Sequence, residues 1–534
     1  MLSERSIING LILIAGLILG PYLISLTFEL NQLALLTFVA FVFFFVCFFL
    51  VKDGIAVFPF IAGCFTGNLN FLPFGLTPVE IFSLMTILYY LVNHLALKRR
   101  PLTGGPRYFL FPMIVVGGIV LYHDHQLSLG ALGGSVEGSR PGLLILIALA
   151  TYICGINIPR PSDKFLSRLP IWCFLAGFFG SLPFALTTYF PSLAPYIYYV
   201  SGNVNISAYV DSLSGGDASD LNRNGALISI SQGVVALLVA YYPISTWWRP
   251  SRCIFILISL LSMYGVLMGG YRNVFLSFIL TFFLGGVCYI RWRVLLMLPV
   301  LALAPLALIF VQSNHFGDLR LPTTVQRSMS FLPGDWDPEV LDSTASSNDF
   351  RDQIKKVYIK EELYKSPWIG NGFAFDSGEA ENLDRMSQLQ KDPDAASYYE
   401  TKAFLISKNF HVGWISLYDA VGLIGSAGFV MLDINMLSLL AYFVFRKDAD
   451  MTSPFFPVKV WLFSSGLGGL IGYFTTFGSF SGTFVAQCNT AIILVYLTQI
   501  ELRDTIRTVS QNPQISFSTR NSLAIPSPVK VSVK

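Results

Sequence analysis

Charge is scarce in this sequence. Only 13% of its 534 residues are Asp, Glu, Lys or Arg, about half the ~25% of a soluble globular domain. That excludes a soluble enzyme and a disordered scaffold. The formal net charge is +3 and no strong basic tract stands out, which argues against nucleic acid as a partner. Cysteine is also scarce. The seven are Cys47, Cys64, Cys154, Cys173, Cys253, Cys288 and Cys488; all lie in or beside apolar segments, and no two have CxxC spacing. An odd number so placed excludes a secreted disulfide framework and reads as small buried hydrophobes. There are five histidines. His123 and His125 flank Asp124, but two imidazoles in one short loop are not a full ligand set, and no metal site is expected.

What fills the chain instead is hydrocarbon. Hydrophobic residues make up 54%, including 46 Phe, and mean hydropathy is +0.61. A helix needs about 20 mostly apolar residues to cross ~30 Å of hydrocarbon. Fourteen stretches qualify: 7–26, 32–51, 54–72, 77–96, 107–123, 141–157, 169–190, 224–243, 253–269, 273–290, 294–311, 422–445, 457–475 and 484–500. The expectation is an all-α, polytopic membrane helical bundle with about 14 spans (12–14). The stretch at 54–72 holds Pro59, Asn68 and Asn70 and reads as re-entrant or broken. The first stretch has no small-residue cleavage site and reads as a retained anchor.

Lys and Arg set the orientation. With Arg5 inside, the inner connections hold Lys52; Lys98, Arg99, Arg100 and Arg107; Arg160, Lys164 and Arg168; Arg249 and Arg252; Arg291 and Arg293; Arg446 and Lys447; and Arg503 and Arg507. The short outer connections hold only Arg140, Arg223 and Arg272. Both termini are then cytoplasmic. Residues 312–412 interrupt the pattern with a large extracytoplasmic loop that holds 16 of the 32 acidic residues. The organisation that follows is an N-terminal bundle at 1–311, this loop, C-terminal membrane helices at 413–504 and a disordered tail at 505–534. Within the loop, 350–365 (FRDQIKKVYIKEELYK) has apolar residues at helical spacing, with Ser347 and Asn348 as caps. Asp392-Pro393-Asp394 reads as a solvated turn.

Three ionisable residues distant in sequence gather on the outer side. Arg223 ends the loop 211–224 (DSLSGGDASDLNRN), Arg272 sits in the turn 269–273 (GGYRN), and His411 closes the long loop. Arg offers a rigid fork of donors that pairs phosphate oxygens and stays charged. A neutral His takes a proton from an attacking hydroxyl near neutral pH. The blander reading is that each Arg snorkels to lipid headgroups and that His411 is a loop residue. Glu80 and Asp433 fall inside candidate spans, where a carboxylate marks an ion pathway or a polar contact between helices. His94 reads as interfacial and His315 as a loop residue.

The runs 365–373 (KSPWIGNGF) and 409–422 (NFHVGWISLYDAVG), with Gly425 following, resemble the C-terminal half of the bacterial O-antigen ligase and O-unit (Wzy-type) polysaccharide polymerase superfamily. Pro367, Gly370 and Gly372 match the family's Pro-x-x-Gly-x-Gly element, and His411 matches its catalytic His. Asp419 stands where Glu is common, and Gly422 and Gly425 fill the glycine positions. Gly270-Tyr271-Arg272 and Arg223 resemble the family's two outer arginines, and Arg351 an Arg that precedes the loop helix. Val412 and Gly413 depart from the Asn usual after the His.

The resemblance implies a GT-C-like glycosyltransferase of the bacterial inner membrane. Its donor would be undecaprenyl-diphosphate-linked glycan and its acceptor a glycan or a lipid. His411 would be catalytic, Arg223 and Arg272 would bind diphosphate, and Arg351 and Asp419 would contact glycan or anchor the loop. It implies no cofactor and no metal, with a chain-length regulator protein as a further candidate partner. Polymerase and ligase stay open, with a slight lean to polymerase. The competing class is a transporter or flippase for lipid-linked glycan. It would depend on Glu80 or Asp433 rather than on His411.

Overall fold

The computed structural model describes residues 54–65, 67, 69–70, 76–96, 107–123, 139–198, 201–206, 210, 224–247, 249–291, 293–294, 298–314, 320–373, 377–408, 410, 412–446, 449–475 and 478–511. Every regular element among them is helical. In chain order the α-helices are α1 Phe58–Gly63, α2 Pro78–Leu91, α3 Leu110–His123, α4 Ser139–Gly155, α5 Asp163–Leu166, α6 Leu169–Tyr189, α7 Ala194–Tyr198, α8 Gly225–Tyr241, α9 Ile254–Leu267, α10 Arg272–Ile290 and α11 Leu298–Asn314. Then follow α12 Thr323–Met329, α13 Pro338–Glu361, α14 Ser377–Leu389, α15 Pro393–Ile406, α16 Gly413–Phe445, α17 Phe456–Thr475 and α18 Phe480–Gln511.

Among the described residues, five segments are long and apolar enough to cross a membrane: Leu169–Tyr189, Pro250–Leu267, Arg272–Ile290, Gly413–Phe445 and Phe480–Ile506. Their outward faces stay apolar. On α9, Ile254, Leu257, Leu261 and Tyr264 are exposed at spacings of three and four, a stripe suited to lipid rather than to water. The protein is therefore a helical membrane protein. α1 is only six residues long, about 9 Å of helix, so the stretch read at 54–72 is broken rather than continuous. The first two stretches lie outside the described residues.

The helices pack as two groups. One joins α1 to α4 with α16, α17 and α18. α18 is its axis: Ala491, Ile492, Ile493, Leu494, Val495, Tyr496 and Leu497 are all fully buried, as a helix apolar on every side must be. The Tyr496 hydroxyl donates to the Gly155 carbonyl at 2.7 Å. The other group joins α8, α9, α10 and α12. α8 and α10 run parallel. Gln232 Nε2 donates to the Val274 carbonyl at 3.3 Å, and further along Gly285 leaves no room for a side chain against Val239. α17 bridges the groups and runs antiparallel to α10, with Gly472 beside Ser277 and Gly468 beside Thr281.

The polar segment forms a cap of helices. Its main helix is not the short one expected at 350–365. It starts at Pro338 and runs 24 residues to Glu361, with Pro in its first turn, where proline's missing N–H costs nothing. Ser347 and Asn348 therefore lie inside the helix and do not cap it. Pro393 likewise opens α15, so the Asp392-Pro393-Asp394 turn is a helix start, with Ala396 N donating to the Asp392 carbonyl at 2.9 Å. α18 continues to Gln511, beyond the tail boundary expected at 505. Cys154, Cys173, Cys288 and Cys488 are buried, but Cys253 is exposed.

Two acids inside the apolar helices have interhelical partners. Glu80 closes a capping box with Thr77 and is bridged by Arg140 at 2.9 Å. Asp433 accepts from Gln487 Nε2 at 2.6 Å. Removing one partner of a buried ion pair strands the other charge. Arg140 is part-exposed while Glu80 is buried, so Arg140→Met is expected to lower stability by about 1–3 kcal/mol, read as a drop in the thermal unfolding midpoint in detergent. Adding Glu80→Gln to the same chain should recover most of the loss.

Candidate functional site

The centre of the site is a break in α16. Gly422 has φ 62° and ψ −164°, which divides the helix and leaves main-chain donors and acceptors without intrahelical partners. The glycine run of the preceding loop supplies them. Asn371 N donates to the Asp419 carbonyl at 2.5 Å and Gly372 N to the Ala420 carbonyl at 3.2 Å. In return, Leu423 N donates to the Pro367 carbonyl at 2.9 Å and Ile424 N to the Trp368 carbonyl at 3.0 Å. Gly370 and Gly372 both have positive φ, which L side chains rarely adopt. A Cβ on Gly370 would meet the Asp419 carbonyl at 2.6 Å, and one on Gly422 would overlap the loop backbone. Pro367, Gly370, Gly372 and Gly422 thus form one interlocked joint. His123, at the end of α3, fastens it by donating from Nε2 to the Ile369 carbonyl at 2.9 Å.

Asp419 ties the joint to the cap. Its carboxylate is 2% exposed, accepts from Asn371 Nδ2 at 2.8 Å and pairs with Lys408 at 2.5 Å. The Tyr358 hydroxyl of α13 lies against it. Burial, and next the Asp419 charge, push the Tyr358 pKa well above its ordinary value. Asp419 is fully engaged as an anchor of the loop. Lys408 has φ 55° and leads into the segment that holds His411. His411 itself, like Arg223, lies outside the described residues. Its neighbours Phe410 and Val412 are buried with Ile354, Tyr358 and Ile415 under the cap.

Arg272 begins α10 and donates from Nη2 to Asn348 Oδ1 of α13 at 2.9 Å. Arg351, three residues further along α13, is close enough for the two guanidinium charges to repel. Neither arginine has a carboxylate partner among the described residues. Two like charges near each other, with no carboxylate bonded to either, make this end of α10 electropositive. Asn348 and Arg351 share a face of α13 at i, i+3. The sequence signal for this pairing is Asp337-Pro338, which starts the helix early enough to include Asn348.

The other elements bring more of the site to the same end. α8 is parallel to α10, so its cap Asn224, next in sequence to Arg223, shares the end of Arg272. Asn224 Oδ1 accepts from Leu227 N at 3.1 Å. Gly413, next but one to His411, packs against the Tyr473 main chain near the end of α17. A cavity of about 450 Å³ lies within the bundle between α6, α8, α10 and α17. Val274, Ser277 and Thr281 line it on the first turns of α10 below Arg272. Among the described residues no group of three or more His, Cys, Asp or Glu is placed to hold a metal ion. His94 stacks on Tyr90 with ring centroids 5.3 Å apart, and His315 lies outside the described residues.

Two predictions follow from this geometry. Gly422→Ala must hold a positive-φ, extended-ψ conformation that is essentially glycine-only, which costs ~1–3 kcal/mol, and must also push the loop away. A loss of at least about 2 kcal/mol is expected, with faster hydrogen exchange across 366–373. Gly466→Ala on α17, where a Cβ meets nothing within 4 Å, is the control and should be neutral or stabilising. In the cap, Glu361 accepts from the Tyr398 hydroxyl at 2.6 Å and pairs with Lys402 at 3.4 Å. The Tyr398 bond, helped by the Lys402 charge, holds the Glu361 carboxyl below its ordinary value. A depressed carboxylate stabilises the fold above its unfolded pKa, about 4.3, and that contribution disappears as pH falls through the lower folded value. Exchange in α15 should therefore quicken only below about pH 4, and Tyr398→Phe should weaken the dependence.

No protein-family model matches the chain, and no curated protein is significantly similar to it.

Proposed function

We propose that the chain is a membrane glycosyltransferase that moves glycan from undecaprenyl diphosphate to an acceptor hydroxyl. The setting is O-antigen or exopolysaccharide repeat-unit polymerisation, or O-antigen ligation. The observation that carries this reading is the Arg272–Asn348–Arg351 cluster. It is a cationic cluster without a carboxylate partner, at the end of the bundle reached by the segment around His411 and above a cavity of mixed lining, apolar at Val274, Phe174 and Trp461 and polar at Ser229, Gln232, Ser277, Thr281 and Ser465. A lipid diphosphate has that combination of charge and hydrocarbon.

In this reading His411 takes the proton of the acceptor hydroxyl. The acceptor oxygen attacks the anomeric carbon, the bond from that carbon to the diphosphate oxygen breaks, and the centre inverts. Undecaprenyl diphosphate leaves with the bonding pair, and its growing charge falls on Arg272 and Arg351, with Arg223 as a third cation. Asp419 acts through Lys408 and Asn371 to hold the catalytic segment against the bundle. About fourteen spans in a GT-C-like arrangement, both termini in the cytoplasm and the cap outside the inner membrane complete the proposal. The carrier reading has less support at Glu80, which is paired with Arg140 on another helix; Asp433 takes one bond, from Gln487, and its second oxygen is buried without a partner among the described residues.

The test is transfer by the purified protein in lipid, supplied with undecaprenyl-diphosphate glycan. His411→Ala is expected to lower turnover ~10²–10⁴-fold, and Arg272→Ala or Arg351→Ala ~10²–10³-fold. Glu80→Gln with Arg140→Met, and Asp433→Asn, should leave transfer within a few-fold of wild type. Longer glycan identifies a polymerase and glycan on a new lipid a ligase. Unchanged turnover in the His411 and Arg272 variants would overturn the site, and lipid movement without transfer would favour the carrier.

A further inference from the structure

The end of the bundle opposite Arg272 carries a second cavity. It measures about 410 Å³ and lies where α6 and α17 begin and α8 and α10 end. These four helices also enclose the larger cavity, so the two share one seam. The lining is a mixture of one cation, Arg168, two tyrosines, Tyr241 and Tyr289, the hydroxyl residues Thr452 and Ser453, and apolar groups.

The carboxylates described near this end are already engaged. Asp163 is held by Arg160 at 3.1 Å and Arg503 at 3.0 Å. Glu501 is shared by Arg446 and Lys459; Asp450 accepts from Thr452, with Oγ1 at 2.6 Å, and keeps its charge at the rim of the cavity. Arg168 is exposed and has no carboxylate partner among the described residues. The tyrosine hydroxyls are turned to main chain. Tyr241 donates to the Ser167 carbonyl at 2.9 Å and Tyr289 to the Ala240 carbonyl. Their rings therefore wall the cavity as apolar surfaces.

We propose that this cavity binds the phosphodiester headgroup of an anionic glycerophospholipid, with Arg168 as its cation and the hydrocarbon chain rising along the seam. One guanidinium balances the single negative charge of a phosphodiester. A free phosphate dianion would need donors on several sides, whereas the Ser167 and Thr452 hydroxyls of the lining already donate to the Lys164 carbonyl and to Asp450. The chain has room above. Phe174, Val274, Trp461 and Gly469 line the larger cavity, and Trp461 lies one helical turn beyond Pro457, which lines the smaller one. By the distribution of Lys and Arg this is the cytoplasmic leaflet. The headgroup site lies at the opposite end from Arg272, but its acyl chain would share the larger cavity with the hydrocarbon of the proposed donor.

Trp461 makes the proposal testable in the full-length protein. Phosphatidylglycerol and phosphatidylcholine with brominated chains are titrated into the purified protein in detergent. Trp461 quenching is taken as the difference between wild type and Trp461→Phe. Phosphatidylglycerol should half-quench at about a fivefold lower concentration, since one Arg near a membrane surface contributes ~1 kcal/mol to binding an anionic lipid. Arg168→Gln should abolish the difference and Arg168→Lys retain most of it. Gly469→Phe, at a position where a Cβ meets nothing within 4 Å, should reduce quenching by both lipids. Equal quenching by the two lipids, or a preference that survives Arg168→Gln, would overturn the proposal. Displacement by millimolar inorganic phosphate would assign the site to a free anion and overturn the lipid assignment.

Discussion

A helix cannot be broken inside a membrane protein unless something replaces the lost backbone hydrogen bonds. In this fold that replacement is the exchange between the α16 break at Gly422 and the glycine run at 367–372. The main chains approach so closely that a side chain on Gly370 or Gly422 would strike backbone. The cap is held to the membrane helices through this joint, and Asp419, Lys408, Asn371 and His123 all act on it. A second, looser link is the contact of Arg272 with Asn348. Ser328 of α12 also donates to the Leu267 carbonyl at 2.9 Å, so the cap is tied to the bundle at several places.

The polar groups divide into two kinds with opposite electrostatics. Asp419 is satisfied on both oxygens and is neutralised by Lys408, so it has nothing left to offer a ligand. Arg272 and Arg351 are under-compensated: Arg272 donates to the neutral amide oxygen of Asn348, neither has a carboxylate partner among the described residues, and their charges repel. A group that is fully bonded serves as framework, whereas the positive charge left uncompensated at Arg272 and Arg351 is what the proposed diphosphate would meet.

Length of apolar run locates α6, α8, α9, α10 and α17 to within a few residues, because hydrocarbon thickness sets a helix length directly. It places the start of the next span at 422 because Asp419 and the polar residues before it dilute the hydropathy. The helix in fact begins at Gly413, and 422 is where it breaks. The first half of α13 is illegible by periodicity, since 338–349 (PEVLDSTASSND) has few apolar residues; only its initial proline marks it. That shortfall conceals the neighbourhood of Arg351 and Arg272, which depends on how α13 lies over α10. Lys408 is hidden for a different reason. Its partner is fixed by a left-handed backbone turn, and a lysine carries no sequence sign of one.

The joint also imposes an order of assembly. Tyr496 reaches back to Gly155 over a sequence separation of 341 residues, and His123 reaches Ile369 across 246. At a synthesis rate of ~5–20 residues per second, α4 waits roughly 17–70 seconds for α18 to emerge. Until then, the surfaces of α3 and α4 that will meet the last helices face lipid or an insertion factor. Ribosomal stalling or premature termination before α16 would leave the early helices inserted without their axis, exposing small residues such as Gly117 and Gly155 that invite packing against the wrong helix. Quality control of this protein therefore falls on its C-terminal third, whose arrival completes the bundle and the joint in one event.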